Sequence, residues 1–301
     1  MADASLSLPF VASPVGDLAA AAAAASEAAR QWGLDAPEFL RAGMNALFSC
    51  GDEVVLRVGR VTADPAAGPW LVEHLARAGI RVPRPLGPDP VGVGELTVFA
   101  QVRETPAGPV DWREVGAMVA QLHRLDPEPI RARHPLPHAV SFPWWDFPRL
   151  LAEVDELLDD QARAGLERAV DQHGSWHRRD SVQVVCHGDV HPGNVLQSAE
   201  GAVLLDWDLL CLAPAAWDHA PLMTWTERWG GEPGVYERFS EGYGCSLRGD
   251  STAESLAVLR LAAATLMRVR AGRSDPAAAA EAARRLRWWR GEPGAPVWTA
   301  Q

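Results

Sequence analysis

The sequence predicts an α+β protein of two lobes, a small β-rich one followed by a larger, mainly helical one. Three observations carry this. Short alternating apolar runs fill much of the first hundred residues, helical periodicity dominates after Val102, and a change of character falls at the turn-rich "ETPAGPVDW". The expected division is residues 1–103 and 104–301.

Each element follows from local chemistry. Asp17 is placed to cap a helix running to Trp32, which Gly33 ends; helix propensity alone accounts for its alanines. Glu38 to Ala42, Ala46 to Cys50 and Glu53 to Val58 read as strands, with Gly51-Asp52 as the turn between the last two. "PWLVEHLARAG" reads as a helix with Leu71, Leu75 and Ala78 on one face. "VPRPLGPDPVGVG" reads as a loop, and "ELTVFAQV" as another strand.

In the second half, Asp111 to Glu114 reads as a capping box opening a helix with Trp112, Val115, Val119 and Leu122 on one face. Phe147 to Val170 reads as one longer helix. Ser251 to Glu254 reads as a second capping box, and Asp275-Pro276 starts a last helix that Gly291 ends. "VQVVC", "NVLQ" and "AVLLDWD" are the strands, the last two joined through Ser198 to Gly201 as a hairpin.

Composition narrows the function classes. The chain has 301 residues, of which 48% are hydrophobic, enough for a sizeable core. A net charge of −11 disfavours a nucleic-acid backbone as partner. There is no lysine, so Schiff-base chemistry is excluded and any long cationic phosphate contact comes from arginine. Cys50, Cys186, Cys211 and Cys245 form no C-x-x-C pair and read as buried free thiols of a reducing cytosol. The alanine run near the N-terminus has acidic rather than basic residues before it, so no secretory signal is read, no membrane span is expected, and the expected location is cytoplasmic.

Chemistry concentrates in "VVCHGDVHPGNVLQ". His187, Asp189 and His191 could be metal ligands, a metallohydrolase reading that would need further ligands elsewhere. Alternatively, Asp189 accepts a proton from an attacking hydroxyl while Asn194, five residues on, and Asp206 in "LLDWD" offer oxygen ligands to Mg²⁺. Asp208 lies two residues further and could face the same side.

H-G-D-x-x-x-x-N followed by an apolar run and D-x-D resembles the aminoglycoside phosphotransferase family, with its protein-kinase-like fold. That resemblance implies Asp189 as catalytic base, Asn194 and Asp206 (with Asp208 as a further candidate) on Mg²⁺, His187 as a loop-ordering residue and Asp218 as a residue fixing the catalytic loop. In the small lobe it implies Arg57 of "VVLRV" on the phosphates of ATP (GTP being possible), in place of the usual lysine, paired with Glu73. It sets "AGMNALF", with Asn45, as the nucleotide-covering loop, although Gly43 is its only glycine, and Phe99 to Val102 as the hinge that reads adenine.

The resemblance further implies a small-molecule hydroxyl acceptor. An aminoglycoside or related antibiotic leads, and macrolides, homoserine, choline-like alcohols or sugars are alternatives. A non-catalytic nucleotide-binding protein on the same fold is the rival. His191, Trp217, Trp225 and Glu227 are candidate acceptor contacts; Trp217, Trp225 and Trp229 could form an aromatic wall for a sugar or cationic ring, with Glu227 and Glu232 near it. Oligomeric state is not readable from the sequence.

Overall fold

The computed structural model describes residues 15–60, 64, 66–86, 89–178 and 182–299. Residues 1–15, which the sequence suggests are a loose leader, fall almost wholly outside them. Helix α1 (Leu18–Trp32) starts at Asp17, whose carboxylate accepts the Ala19 amide at 2.9 Å, and ends at left-handed Gly33. Strands β1 (Glu38–Ala42), β2 (Ala46–Cys50) and β3 (Val54–Arg60) form a meander. Helix α2 (Ala67–Arg77) follows, then β4 (Val91–Val93) and β5 (Leu96–Val102). The five-stranded antiparallel sheet has the order β1-β2-β3-β5-β4. Strand β4 lies in a stretch expected to be loop, where Gly94 and Glu95 provide a tight return into β5.

The alanines of α1 do more than favour helix. Ala21, Ala24, Ala25 and Ala28 are fully buried against Phe48, Leu56, Val58 and Val98 of the sheet, because side chains of one carbon let the helix lie close on it. Helix α2 does not share this core. Its Leu71 and Leu75 join the larger core with Trp112 and Met118.

Helices α3 (Trp112–Leu122) and α4 (Pro127–Arg131) begin the second half. Asp111 caps α3 at the Arg113 amide, 2.9 Å, but the expected box does not close. Glu114 turns outward to the Ala202 amide, 2.6 Å, and to Arg81. The helix expected over Phe147 to Val170 is two: α5 (Phe147–Val154) and α6 (Asp160–His173). Asp159 starts the second by accepting the Ala162 amide at 3.0 Å, and a 3₁₀ turn at Asp155–Leu157 separates them.

The catalytic-loop region carries β6 (Val184–Cys186), β7 (Val195–Ser198), β8 (Gly201–Leu204) and β9 (Cys211–Ala213). β7 and β8 form the expected hairpin, and β9, not anticipated, pairs with β6. Helices α7 (Ala216–Met223), α8 (Trp225–Trp229) and α9 (Val235–Tyr243) lead to α10 (Ser251–Ala271) and α11 (Pro276–Trp289). The N-cap of α10 is Asp250 rather than Ser251. Its carboxylate accepts the Thr252 and Ala253 amides at 2.9 Å, while Glu254 reaches back to the Gly249 amide. α10 packs against α5, α6, α7 and α11, so its buried face forms the middle of the helical half. No helix among the described residues is long and apolar enough to cross a membrane. Cys50, Cys186 and Cys211 are buried free thiols, whereas Cys245 is exposed.

Candidate active site

The loop after β6 owes its shape to a buried carboxylate. Asp218, fully buried on α7, accepts the His187 and Gly188 amides, both at 2.8 Å, and meets His123 Nε2 at 3.1 Å. Burial alone would push its pKa up. The hydrogen bond from His123 and the Gly188 amide outweigh this, so it lies below the ordinary carboxylate value. Gly188 has φ +93°, and a side chain there would run into the Leu209 carbonyl, so only glycine fits between His187 and Asp189.

Both ring nitrogens of His187 serve the loop. Nε2 donates to the Leu205 carbonyl at 2.9 Å, and Nδ1 accepts the Asp189 amide at 3.3 Å. Burial lowers its pKa and keeps it neutral. The metal-ligand reading of His187, Asp189 and His191 therefore fails, since His187 has no nitrogen left for an ion. Among the described residues, the metal-type grouping is instead His123, Cys186 and Asp218, whose carboxylate is already occupied by the loop amides.

Asp189 is fixed from several sides. Arg260, reaching across from α10, donates to Asp189 Oδ1 and to the Gly188 carbonyl, the latter at 2.9 Å. Asn194 Nδ2 donates to the Asp189 carbonyl at 3.0 Å and to Oδ2 at 3.2 Å; His191 Nε2 lies 3.4 Å from Oδ2. Burial would raise the Asp189 pKa, but His191, Arg260 and His187 hold it far below the usual carboxylate range. Arg260 was not anticipated. The signal for it was an arginine inside the apolar run "LAVLRLAAATL", where a charge needs a buried partner.

Asp206 follows β8 in a left-handed conformation, φ 59°. Burial, and then Asp208 and Asp189, push its pKa up to about 6 against the opposing pull of Arg57. Concentrated carboxylates of this kind fit a hard divalent cation. Because Asn194 uses its amide nitrogen on Asp189, Oδ1 is the atom it could offer to a cation. Asp208, expected as a further metal ligand, is engaged otherwise: Asn45 Nδ2 donates to it at 2.7 Å and Arg57 pairs with it. Asn45 also lies over Gly59, where any side chain would collide with it. The covering loop is thus held down by a polar clasp instead of a run of glycines.

Two expected small-lobe contacts are corrected. Arg57 does not pair with Glu73: α2 leans on the helical core, and Glu73 bridges to Arg77 at 2.6 Å on the surface. Arg57 finds Asp208, with Asp206 at 3.8 Å. The Val102 amide donates to the Arg84 carbonyl at 2.8 Å, because residues 84–86 lie along β5, so this amide is not open to an adenine. The Phe99 ring lies beside Gly68, where an added side chain would press against it.

A cleft of about 600 Å³ opens from Asp189 and His191. Gly43 and Met44 of the covering loop border it, Thr224, Trp225 and Trp229 form one wall, and Arg260, Leu261, Ala264, Met267 and Arg268 of α10 form the other. His191 and Trp225 stack at 6.3 Å and 27°, Trp225 and Trp229 at 6.2 Å and 21°. Of the expected acceptor contacts, His191 and Trp225 line the cleft. Trp217 does not: it is fully buried among Phe142, Trp144, Trp145 and Trp176, with its indole N–H on the Gly188 carbonyl at 3.1 Å. Glu227 is exposed and off the wall, and Glu232 pairs with Arg238.

Residues 70–259 match the model of the Phosphotransferase enzyme family, known in short as APH. The chain belongs to this family. Its fold is the family's two-lobe, kinase-like one, and it is a phosphotransferase. Spectinomycin phosphotransferase in complex with ADP and spectinomycin is 18% identical, with a TM-score of 0.64 over 85% of this chain and 89% of that one. The GDP complex of aminoglycoside 2'-phosphotransferase-IIIa is 14% identical, with a TM-score of 0.67 over 87% and 96%. Macrolide 2'-phosphotransferase from Brachybacterium faecium is 20% identical, with a TM-score of 0.55 over 87% and 97%. No curated protein sequence matches the chain.

Proposed function

We propose that this phosphotransferase moves the γ-phosphoryl group of ATP, or of GTP, to a hydroxyl of a small molecule bound in the cleft beside Asp189. The carrying observation is Asp189 itself, held ionised by Arg260 and its neighbours and bordering that cleft. A carboxylate of such low proton affinity is a weak base. Phosphoryl transfer through a loose transition state asks for little base strength, and chiefly for an acceptor hydroxyl aimed at phosphorus. Asp189 accepts the hydroxyl hydrogen bond, orients it, and takes the proton as the new P–O bond forms.

Asn194 and Asp206 are the residues that would hold a divalent cation such as Mg²⁺, whose contribution when bound is to neutralise phosphate charge. Arg57 faces the same acidic group and is the phosphate-side cation; Asn45 closes the covering loop over it. The adenine falls to backbone beyond Arg103, since the Val102 amide is engaged. Residues 1–103 form the nucleotide-side lobe in this reading, with α2 anchored to the other. Among acceptors, the resemblance puts an aminoglycoside or related antibiotic first.

The test is thermal unfolding with millimolar ATP or GTP and Mg²⁺. A ligand at 100 times its Kd stabilises by about 2.7 kcal/mol, which raises Tm by several degrees. A rise with either nucleotide, absent without the metal, is expected; no rise with either overturns the reading.

A further inference from the structure

The cation of the small lobe is aimed by the large one. Leu56 and Val58, the neighbours of Arg57 on β3, are buried in the core that α1 covers, so the Arg57 side chain leaves the opposite face of the sheet. There it pairs with Asp208, in the turn after β8, and lies 3.8 Å from Asp206. Both contacts use Nη2. Among the described residues no other group takes this guanidinium, so the hydrogens of Nε and Nη1 remain for a second anion. Asp208 also accepts Asn45 Nδ2 at 2.7 Å. Asn45 reaches it across Gly59, two residues on from Arg57 in β3, where a side chain would collide with the amide. Two donors of the small lobe thus converge on one carboxylate 163 and 151 residues further along the chain.

We propose that Asp208 is the positioning residue of Arg57: it holds the guanidinium beside Asp206, where the nucleotide phosphates bind, and is not itself a metal ligand. The inference rests on the phosphotransferase reading and assigns a part within that site. A guanidinium on a flexible stem loses rotamer freedom when a ligand fixes it. Asp208 fixes it beforehand, so the phosphates meet a cation already in place. Glu73 does not do this, because it is 61% exposed and bridges to Arg77 on the surface of α2. Nor is Asp208 open to an ion as Asp206 is. Its Oδ1 is on Arg57 and its Oδ2 on Asn45, so both oxygens are engaged within the protein. The second carboxylate of the D-x-D pair therefore orients the phosphate side, and the first holds the metal.

Calorimetric titration of the full chain with the β,γ-imido analogues of ATP and GTP in Mg²⁺ tests this, read on whichever binds more tightly. Asp208→Asn should weaken binding by about tenfold. In an Arg57→Met background the same change should weaken it by less than about twofold, because no cation is left to place. The Mg²⁺ concentration that half-saturates the analogue complex should stay within about threefold of the parent value in Asp208→Asn, and should rise well beyond that in Asp206→Asn. Glu73→Gln should bind as the parent chain does. Asn45→Ala, which leaves every charge in place, should weaken binding by about threefold and decides the matter if Asp208→Asn does not fold. Unweakened binding in folded Asp208→Asn overturns the proposal, as does equal weakening with and without Arg57. A Mg²⁺ requirement raised as far as in Asp206→Asn makes Asp208 a metal ligand and overturns it too. The two readings fail distinguishably. A parent chain that binds neither analogue ends the phosphotransferase reading and this inference with it. A parent chain that binds an analogue and ignores Asp208→Asn ends only the positioning role.

Discussion

The two sides of Asp189 are built on opposite plans. Toward the small lobe lie Asp206 and Asp208 with Arg57, a polar group in which each charge has another within ion-pair range. Toward α10 lie two indoles, aliphatic side chains and arginines, of which Arg285 is paired behind the wall with Glu281. The phosphate side serves a reaction whose charges are the same for every acceptor. The other side serves whichever molecule is modified. On the proposed reading, the contrast places specificity in α8 and α10 and the chemistry in the loop that carries Asp189.

The largest effect that would break or sharpen this contrast is at the loop. Asp189→Asn should lower turnover by about 100- to 10,000-fold while leaving the nucleotide-induced Tm rise intact. Asp206→Asn should instead reduce that rise together with turnover, since it removes a charge from the phosphate side. Steady-state kinetics and thermal unfolding on the same pair of variants separate the roles. If Asp189→Asn alone abolished the nucleotide response, the division into two sides would be wrong.

Next comes the support beneath both sides. Asp218→Ala leaves the His187 and Gly188 amides and His123 without their acceptor, and should cost about 3 to 5 kcal/mol in urea denaturation. A loss below about 1 kcal/mol would mean that the loop holds its shape without it.

The smallest effect is in pH. Asp206 has its folded pKa raised to about 6, above its unfolded value, so the folded protein binds this proton more tightly than the unfolded chain does. Its contribution to stability is fully present below the unfolded value and is lost as pH rises to about 6. Metal-free protein should therefore lose some stability over that interval. Millimolar Mg²⁺ should restore it, and its affinity should rise with pH. A metal-induced Tm shift independent of pH from 5 to 7 would remove Asp206 from the metal site.

Legibility follows the same division. Asp189, Asn194 and Asp206 could be named from the chain because phosphoryl transfer confines them to one loop and the hairpin after it. Strands β1 to β3 were readable because alternation and a Gly-Asp turn are local. Glu73 misled because its helix face is chosen by Leu71 and Leu75, which prefer the helical core, a tertiary decision invisible in "WLVEHLAR". Trp217 misled for a related reason: a tryptophan buried behind a wall and one within it look alike until packing is known. The break between α5 and α6 was missed, although Asp159-Asp160 offered an N-cap signal inside the expected helix. Arg260 acts 71 residues from Asp189, and periodicity cannot show such a contact.

That separation has a consequence for how the protein is made. A nascent chain can form β6, the Asp218 anchor and the β7–β8 hairpin before α10 leaves the ribosome. Until residue 260 emerges, the carboxylate of Asp189 lacks the cation that aims it. The reactive geometry therefore waits on α10, and a chain broken off before α10 lacks this cation even where its signature motif is complete.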